Sequence, residues 1–132
     1  MMPRCPECQS FAFLDAMTCG ACASELGYRL DTLSFLTVHP EGTIVDDDTW
    51  RTCSNRSWGC NWLVADREES GRCFSCRLNR TLPARDDTIA WEKMRDTGIA
   101  ERRLLVQLAE FDLPITPWYE KEGGLGFDLL PS

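Results

Sequence analysis

Apolar residues in the first 82 positions of the chain occur in short stretches separated by turn-forming residues. The stretches cover residues 11–14, 26–30, 33–38 and 60–65. Short apolar or β-branched runs bounded by Gly, Pro, Asn and Asp are typical of β-strands. The sequence therefore predicts several small strands, with a turn at 39–42. The acidic run 46–48 predicts a solvated connection.

The pattern changes after Pro83. Apolar side chains then recur at roughly helical spacing, at Ile89, Met94, Leu104, Leu105, Leu108 and Phe111. Asp86 or Asp87 can cap a helix, so we predict one long helix that ends near Asp112. Gly98 is the place where it would break, because glycine costs about 1 kcal/mol relative to alanine inside a helix. The tail is predicted to be a glycine-rich turn followed by a short apolar segment at 127–130.

Length and composition indicate a small globular protein. A chain of 132 residues fits one domain or two small modules, and 43% of its residues are hydrophobic. No apolar run approaches the roughly 20 residues of a membrane span. The first residues contain no apolar segment of the kind found in secretory signals, so we expect a reducing compartment, the cytoplasm.

Eight cysteines are the strongest chemical feature of the sequence. In a reduced chain of this size they indicate metal binding rather than disulfides. Six of them form three CxxC pairs, Cys5/Cys8, Cys19/Cys22 and Cys73/Cys76. The fourth pair, Cys53 and Cys60, is opened by a six-residue loop and is a weaker signature.

Structural zinc takes four tetrahedral ligands, so two chain segments must converge on each ion. We predict two Zn²⁺ ions per chain, one bound by Cys5, Cys8, Cys19 and Cys22 and the other by Cys53, Cys60, Cys73 and Cys76. Gly20 is expected to add backbone freedom to the second CxxC turn. A cross-braced pairing of the cysteine pairs, and iron in place of zinc, stay open at this point.

The ligand chemistry argues against catalysis at either metal. All-cysteine sites are closed, whereas a catalytic zinc keeps one position open and usually takes histidine or carboxylate ligands. His39 is the only histidine and lies in a His-Pro turn, where we expect it to be solvated. With one histidine the chain contains no HExxH helix, so we expect that it is not an enzyme by itself.

Charge disfavours nucleic-acid binding, which is the alternative function. The net charge is −7, and two zinc centres with four thiolate ligands each would lower it to −11. Residues 51–85 nevertheless hold seven arginines against three acidic residues, and Arg72, Arg77, Arg80 and Arg85 lie close to aromatic side chains in the sequence. We expect these arginines to pair with acidic residues of the same chain or to neutralise the thiolates in part, and we expect Arg102 and Arg103 to line a solvated helix face.

The tryptophans and the CxxC thiols each allow a second interpretation. Trp50, Trp58 and Trp62 flank the second set of cysteines, which favours aromatic packing around a metal site over a base-stacking surface. Trp91 is expected to anchor the helix to the second module. A thiol-redox role for the CxxC pairs is disfavoured, because no βαβ pattern surrounds any of them.

The chain resembles a bacterial family of zinc-binding metallopeptidases that begin with a zinc-ribbon region. Beyond the cysteines, the resemblance is carried by the segments Leu26-Gly-Tyr28, Trp50-Arg-Thr-Cys53, Cys60-Asn-Trp-Leu-Val64, Cys73-Phe-Ser-Cys-Arg-Leu-Asn-Arg-Thr-Leu-Pro83 and Arg102-Arg-Leu-Leu105. It implies a longer polypeptide whose downstream part carries a HExxH-type helix. This sequence ends before such a helix, so the resemblance implies either an isolated N-terminal region or a naturally short relative, and it assigns no peptidase activity to these residues.

We therefore predict an α+β fold in which two four-cysteine zinc-ribbon or zinc-knuckle modules precede a long helix that packs on them. The predicted divisions are 1–45 for the first ribbon, 46–85 for the second ribbon and 86–132 for the helical segment and apolar tail. The expected function is structural zinc binding in an accessory or recognition region. Its expected contact is a protein partner, a protein substrate or a further C-terminal domain.

Overall fold

A computed structural model describes residues 3–128. The chain forms two compact units, one ending at Cys73 and the other beginning at Phe74. Small β-sheets and both cysteine groups lie in the N-terminal part and a long helix follows, which confirms the predicted α+β layout. The three-part division at residues 45 and 85 stays a prediction, and so does the packing of the helix on the two modules.

The first regular elements of the first unit are the two strands of an antiparallel hairpin. Strand β1 (Leu26–Arg29) pairs with β2 (Ser34–Thr37), in the two apolar stretches where strands are predicted. The stretch 11–14 instead contributes only a single bridge, between Arg4 and Phe11. Tyr28 and Phe35 are directly opposite each other in this hairpin, so their side chains lie on the same face. Their rings do so edge to face, with centroids 5.2 Å apart.

A second sheet contains β3 (Thr43–Val45), β4 (Asp48–Thr52) and β5 (Leu63–Ala65) in that order. The connection predicted at 46–48 is solvated, since all three aspartates are exposed, but it is the turn of a hairpin and Asp48 already begins β4. Asp46 and Asp47 form the two-residue turn of the hairpin with φ of 50° and 67°. Aspartate tolerates the left-handed region better than most residues, and two positive φ values match the twist of a tight hairpin.

The core of this unit forms where β1 meets the start of β5. Tyr28 makes a parallel bridge with Trp62, and its N–H donates to the carbonyl of Asn61 at 2.8 Å. Tyr28, Trp62 and Leu63 are all buried. Beside them, Gly27 lies so close to Leu63 that an added Cβ would approach the Leu63 Cδ2 to 2.2 Å. Glycine is required here because of the packing, and its φ is not positive.

Replacing Gly27 by alanine is expected to destabilise the zinc-loaded protein by about 1 to 3 kcal/mol, because the new methyl group overpacks the buried Leu63. Urea unfolding measures the loss. Gly20→Ala is the matched control, since an added Cβ there meets nothing within 4 Å. A Gly27→Ala protein as stable as the Gly20→Ala protein would contradict this description of the core.

The second unit consists of a short helix, a strand pair and a long helix. Helix α1 (Phe74–Arg77) leads into β6 (Asn79–Thr81), and helix α2 (Thr88–Glu110) follows. Strand β7 (Phe127–Asp128) returns parallel to β6, and Asp128 accepts hydrogen bonds from Arg80 and Thr81. The tail is thus partly a strand, and the last two residues of the predicted segment 127–130 lie outside the described residues.

Helix α2 has the predicted position. The Asp87 side chain caps it by accepting from the Ala90 N–H at 3.2 Å, and the helix continues without a break through Gly98. Trp91 is buried and donates from Nε1 to the carbonyl of Ala84. Its predicted role as an anchor to the second module stays a prediction. In the described part of the chain, no helix is both long enough and apolar enough to cross a membrane.

The buried face of α2 agrees only in part with the predicted one, since Met94 and Leu105 are buried as expected. Ile89, Leu104 and Phe111 are exposed. The buried positions are Ala90, Trp91, Met94, Glu101, Arg102, Leu105 and Val106. They follow each other at helical spacing and include two charged residues, so an apolar pattern alone could not define the face. Arg102 in particular is buried at 7% exposure, which makes the prediction of a solvated position wrong for this residue.

Glu101 is a buried carboxyl group on this face. Burial raises its pKa to about 7, against the opposing effect of the positive charge on Arg102. The Asn79 amide, oriented with its NH2 group toward the helix, donates to both carboxylate oxygens at 3.1 and 3.2 Å. Since this pKa lies above the ordinary value of 4.5, the folded state binds a proton more tightly than the unfolded chain.

We expect the wild-type protein to lose stability relative to Glu101→Gln as pH rises from 6 to 8. The folded-state pKa is raised, so the contribution of this group is full at low pH and is lost through about pH 7. The difference in unfolding free energy between the two proteins should change by about 1 kcal/mol over that range. Urea unfolding at both pH values measures it, with Asp96→Asn at an exposed position of the same helix as control. A pH-independent difference would contradict the assignment.

Candidate metal centres

The first cysteine group is built from two turns with the same backbone structure. In the first turn the Cys5 N–H donates to the Ser10 carbonyl and the Gln9 N–H donates to the Cys5 carbonyl, at 2.8 and 2.9 Å. In the second turn Cys19, Ala23 and Ser24 repeat both bonds at 2.9 Å. We call these turns knuckle 1 (residues 5–10) and knuckle 2 (residues 19–24). Each has the form Cys-x-x-Cys-x-Ser.

In each knuckle the residue just after the second cysteine has an unusual backbone conformation. Gln9 and Ala23 occupy equivalent positions and adopt the left-handed region, with φ of 66° and 63°. Gly20 does not have a positive φ, so the turn does not require a glycine at this position. Non-glycine residues adopt this conformation at a cost, and they persist there where the surrounding structure holds them. Four converging ligands on a metal would provide such a constraint.

The two knuckles bring four sulfur atoms together. The Cys5 Sγ lies 3.7 Å from the Cys22 Sγ, and the Cys8 Sγ lies 3.6 Å from the Cys19 Sγ. All four ligand atoms lie within 4.8 Å of one another. Burial is uneven, because Cys5 and Cys19 are buried whereas Cys8 and Cys22 are exposed.

Three of these thiols have shifted pKa values, and the shift of the buried Cys5 is opposite in direction to the shifts of the exposed Cys8 and Cys22. Hydrogen bonds from Ser10 lower the pKa of Cys8 to about 6, and hydrogen bonds from Ser24 lower the pKa of Cys22. Burial raises the pKa of Cys5 to about 11. Metal ligands are thiolates, so the Cys5 proton has to leave when a metal binds. The serine that ends each knuckle supports the exposed ligand in its charged form.

The second cysteine group has a different backbone frame. A 3-10 helix (Arg56–Trp58) fills the loop between Cys53 and Cys60, and Gly59 ends it in the left-handed conformation with φ of 94°. The Cys60 and Cys73 sulfurs lie 3.5 Å apart, and the Cys73 N–H donates to the Cys53 Sγ at 3.3 Å. All four cysteines, including Cys76, are buried at 5% exposure or less. The six-residue loop therefore brings its two cysteines into one group, as a CxxC turn would.

The two cysteine groups fit two structural zinc ions, one ion in each group. The edge of a zinc–sulfur tetrahedron is about 3.8 Å when the Zn–S distance is about 2.3 Å. The measured sulfur separations of 3.5 to 3.7 Å are close to that value. The cysteines group in the sequential order rather than in the cross-braced one. With four thiolate ligands each, such ions are closed to substrate and supply folding free energy.

Side chains from the segment of the second group hold the loop between the knuckles. Asn61 is fully buried, and its Nδ2 donates to the carbonyls of Leu14 and Ala16 at 2.7 and 2.9 Å. Arg56 donates to the carbonyl of Met17 at 3.1 Å. Sequence patterns missed both residues, because their partners are backbone atoms that lie 39 to 47 positions away. The one local signal was Asn61 itself, a polar residue inside a predicted strand.

The tryptophans differ in their surroundings. Trp62 is buried against Tyr28, with ring centroids 6.1 Å apart. Trp50 is half-buried in β4, and the guanidinium of Arg29 lies 4.4 Å from the centre of its ring. Trp58 lies in the 3-10 helix, also half-buried. His39 is exposed in its turn.

The chain is similar to one protein family and to several longer bacterial proteins. The model of a zinc-ribbon domain matches residues 2–87. Proteins of Mycobacterium bovis and Mycobacterium tuberculosis, each described as uncharacterized, are 32% identical to the chain over 131 residues. The alignment covers 98% of this chain but 37% of those proteins, so the chain spans a little over a third of their length. No solved structure matches.

The family match covers most of the chain and includes both cysteine groups. Sequence, sulfur geometry and ligand type agree with it. The chain therefore belongs to the zinc-ribbon domain family.

Proposed function

We propose that this chain is a structural zinc-binding module that serves as an accessory or recognition region for a protein partner, without catalysis of its own. Two closed groups of four cysteines fit the structural part of this role. Within residues 3–128 they are the two clusters of metal-binding side chains. Both consist of thiols that need a reducing compartment, which is consistent with a cytoplasmic location.

The observation that carries the recognition role is an exposed aromatic pair on the loop between the knuckles. Phe13 is 73% exposed and Phe11 is 56% exposed. The guanidinium of Arg4 lies 4.1 Å from the centre of the Phe11 ring. We call Arg4, Phe11 and Phe13 the knuckle surface. Aromatic residues, phenylalanine among them, and arginine are enriched at protein interfaces relative to the rest of the surface.

Hydrogen bonds and the two knuckles fix the loop that carries this surface. Asn61 binds the carbonyls of Leu14 and Ala16, and the cysteines of the two knuckles enclose the loop at both ends. Zinc and the buried asparagine thus fix a segment that has little regular structure of its own. A fixed loop loses less conformational entropy on binding than a free one, which favours a docking role.

Nucleic-acid binding is less favoured than protein binding. Arg51 pairs with Asp66, Arg67 with Asp48 and Arg80 with Asp128, at 2.6 to 2.8 Å. Arg77 lies against the rings of Phe74 and Tyr119, 6.0 and 5.7 Å from their centres. Arginines that are engaged within the chain offer less charge to phosphates. These contacts favour pairing of the arginines within the chain over binding of nucleic-acid phosphates.

Longer relatives give the proposal a context. In the mycobacterial proteins the matching region is a little over a third of the polypeptide, so a region of this kind can be joined to a larger part. The resemblance to zinc-binding metallopeptidases suggests that this larger part carries the chemistry. Under that interpretation, the zinc module would contact the protein substrate or the adjoining domain through its knuckle surface.

Site-specific photo-crosslinking tests the proposal. A photoreactive phenylalanine analogue at position 13 of the chain, produced in its own organism, is expected to crosslink to one defined protein. The same analogue at Ile89, an exposed apolar position at the start of α2, is the control. Crosslinks to nucleic acid from position 13, or the same diffuse products from both positions, would contradict the recognition role. Phe13→Ser should retain zinc and lose the interaction with the captured protein.

A further inference from the structure

The two cysteine groups differ sharply in their exposure to solvent. In the second group all four thiols are buried, and the Cys53 sulfur also accepts the N–H of Cys73. In the first group the second cysteine of each knuckle, Cys8 and Cys22, is exposed. Cysteine oxidation requires contact between sulfur and oxidant, so exposure decides which thiolates react first.

We propose that the first cysteine group is an oxidation site of this module, at which Cys8 and Cys22 react with hydrogen peroxide and the knuckles lose their zinc. The second group is the protected, purely structural site of the same chain. This role differs from that of a dithiol oxidoreductase, because the product is a changed knuckle structure rather than an oxidised substrate.

Each exposed sulfur has a second sulfur within reach. The Cys19 Sγ lies 3.6 Å from the Cys8 Sγ, and the Cys5 Sγ lies 3.7 Å from the Cys22 Sγ. A disulfide has a sulfur–sulfur distance of about 2.05 Å, so a movement of less than about 2 Å suffices. Each attacked cysteine therefore has a resolving thiol in the opposite knuckle.

The chemistry balances with peroxide as the only oxidant. The thiolate of Cys8 or Cys22 attacks one peroxide oxygen, the O–O bond breaks, and the products are a sulfenic acid and hydroxide. A neighbouring thiolate of the group then attacks the sulfenic sulfur, which forms the disulfide and releases a second hydroxide. Two thiolates lose two electrons in total and one peroxide gains them. A metal left with two thiolate ligands is held far less tightly.

Oxidation of the zinc-loaded chain tests the proposal. Purified protein with bound zinc is treated with hydrogen peroxide while a colorimetric chelator reports free zinc, and samples are alkylated at intervals for mass spectrometry. We expect one zinc equivalent to be released at least about tenfold faster than the other, since reactivity follows exposure. Disulfides among residues 5, 8, 19 and 22 should appear while residues 53, 60, 73 and 76 stay reduced.

Early samples separate the proposal from simple unfolding. Before a fifth of one zinc equivalent has been released, oxidation should already be confined to the first group, whatever happens to the fold later. The same chain in denaturant with chelator is the control, and there we expect the eight thiols to react without preference for either group. Early oxidation in the second group, or equal oxidation of both groups in the folded protein, would overturn the proposal.

Discussion

Cys19→Ser is expected to unfold the two knuckles and reduce the zinc content of the chain from two ions to one. Cys19 is 2% exposed, and its sulfur lies 3.6 Å from that of Cys8. A structural zinc ion contributes roughly 10 to 16 kcal/mol of binding free energy, comparable to the whole stability of an ordinary domain. The knuckles contain little regular structure and two left-handed non-glycine residues, so they depend on this energy. NMR spectra of labelled protein should lose the dispersed signals of residues 5–24.

Gly20→Ala, one position further along the same knuckle, is the control for this experiment. Its added Cβ meets nothing within 4 Å, so the spectrum and the zinc content should be those of the wild type. Complete removal of zinc from the wild type by a strong chelator should have a larger effect than Cys19→Ser, because both groups are then lost. A cooperative thermal transition that is unchanged after complete metal removal would contradict the structural role of zinc.

Asn61→Asp is expected to destabilise the zinc-loaded protein by about 3 to 5 kcal/mol, the range for an uncompensated buried charge. The Asn61 amide donates to the carbonyls of Leu14 and Ala16, and the side chain is fully buried. An aspartate of the same shape loses both donors and places its charge against two carbonyl oxygens. Equilibrium unfolding in urea at pH 7 measures the loss.

Asn55→Asp provides a matched control for that substitution. Asn55 precedes the 3-10 helix in the same segment, is half-buried, and its side chain makes no capping hydrogen bond. We expect its replacement to change the stability by less than about 0.5 kcal/mol, as for most surface substitutions. If Asn61→Asp were no more destabilising than Asn55→Asp, Asn61 would not hold the loop between the knuckles.

The cysteine groups could be predicted from the sequence because their chemistry depends on local spacing. A CxxC turn places two sulfurs together without help from the rest of the fold, as Cys5 and Cys8 illustrate. Helix α2 was also predictable, since Asp87 and the apolar repeats are local features. Strands β1 and β2 follow the apolar stretches in the same way.

The features that could not be predicted depend on distant partners or on unusual backbone angles. The solvated connection at Asp46 and Asp47 could be predicted, but their positive φ values, which make it the tight turn between β3 and β4, could not. Glu101 and Arg102 lie on the buried face of α2, although charged residues normally indicate solvent. The Asn61 side chain joins segments 45 to 47 residues apart, and no local pattern encodes such contacts.

The two cysteine groups each hold one structural zinc ion, and the number of ions per chain is the most direct measure of this central claim. Elemental analysis of the purified chain, with protein concentration from amino-acid analysis, provides that number. We expect two zinc ions per chain, bound by the cysteines within residues 5–22 and 53–76. One zinc ion per chain would contradict the claim that both groups bind zinc.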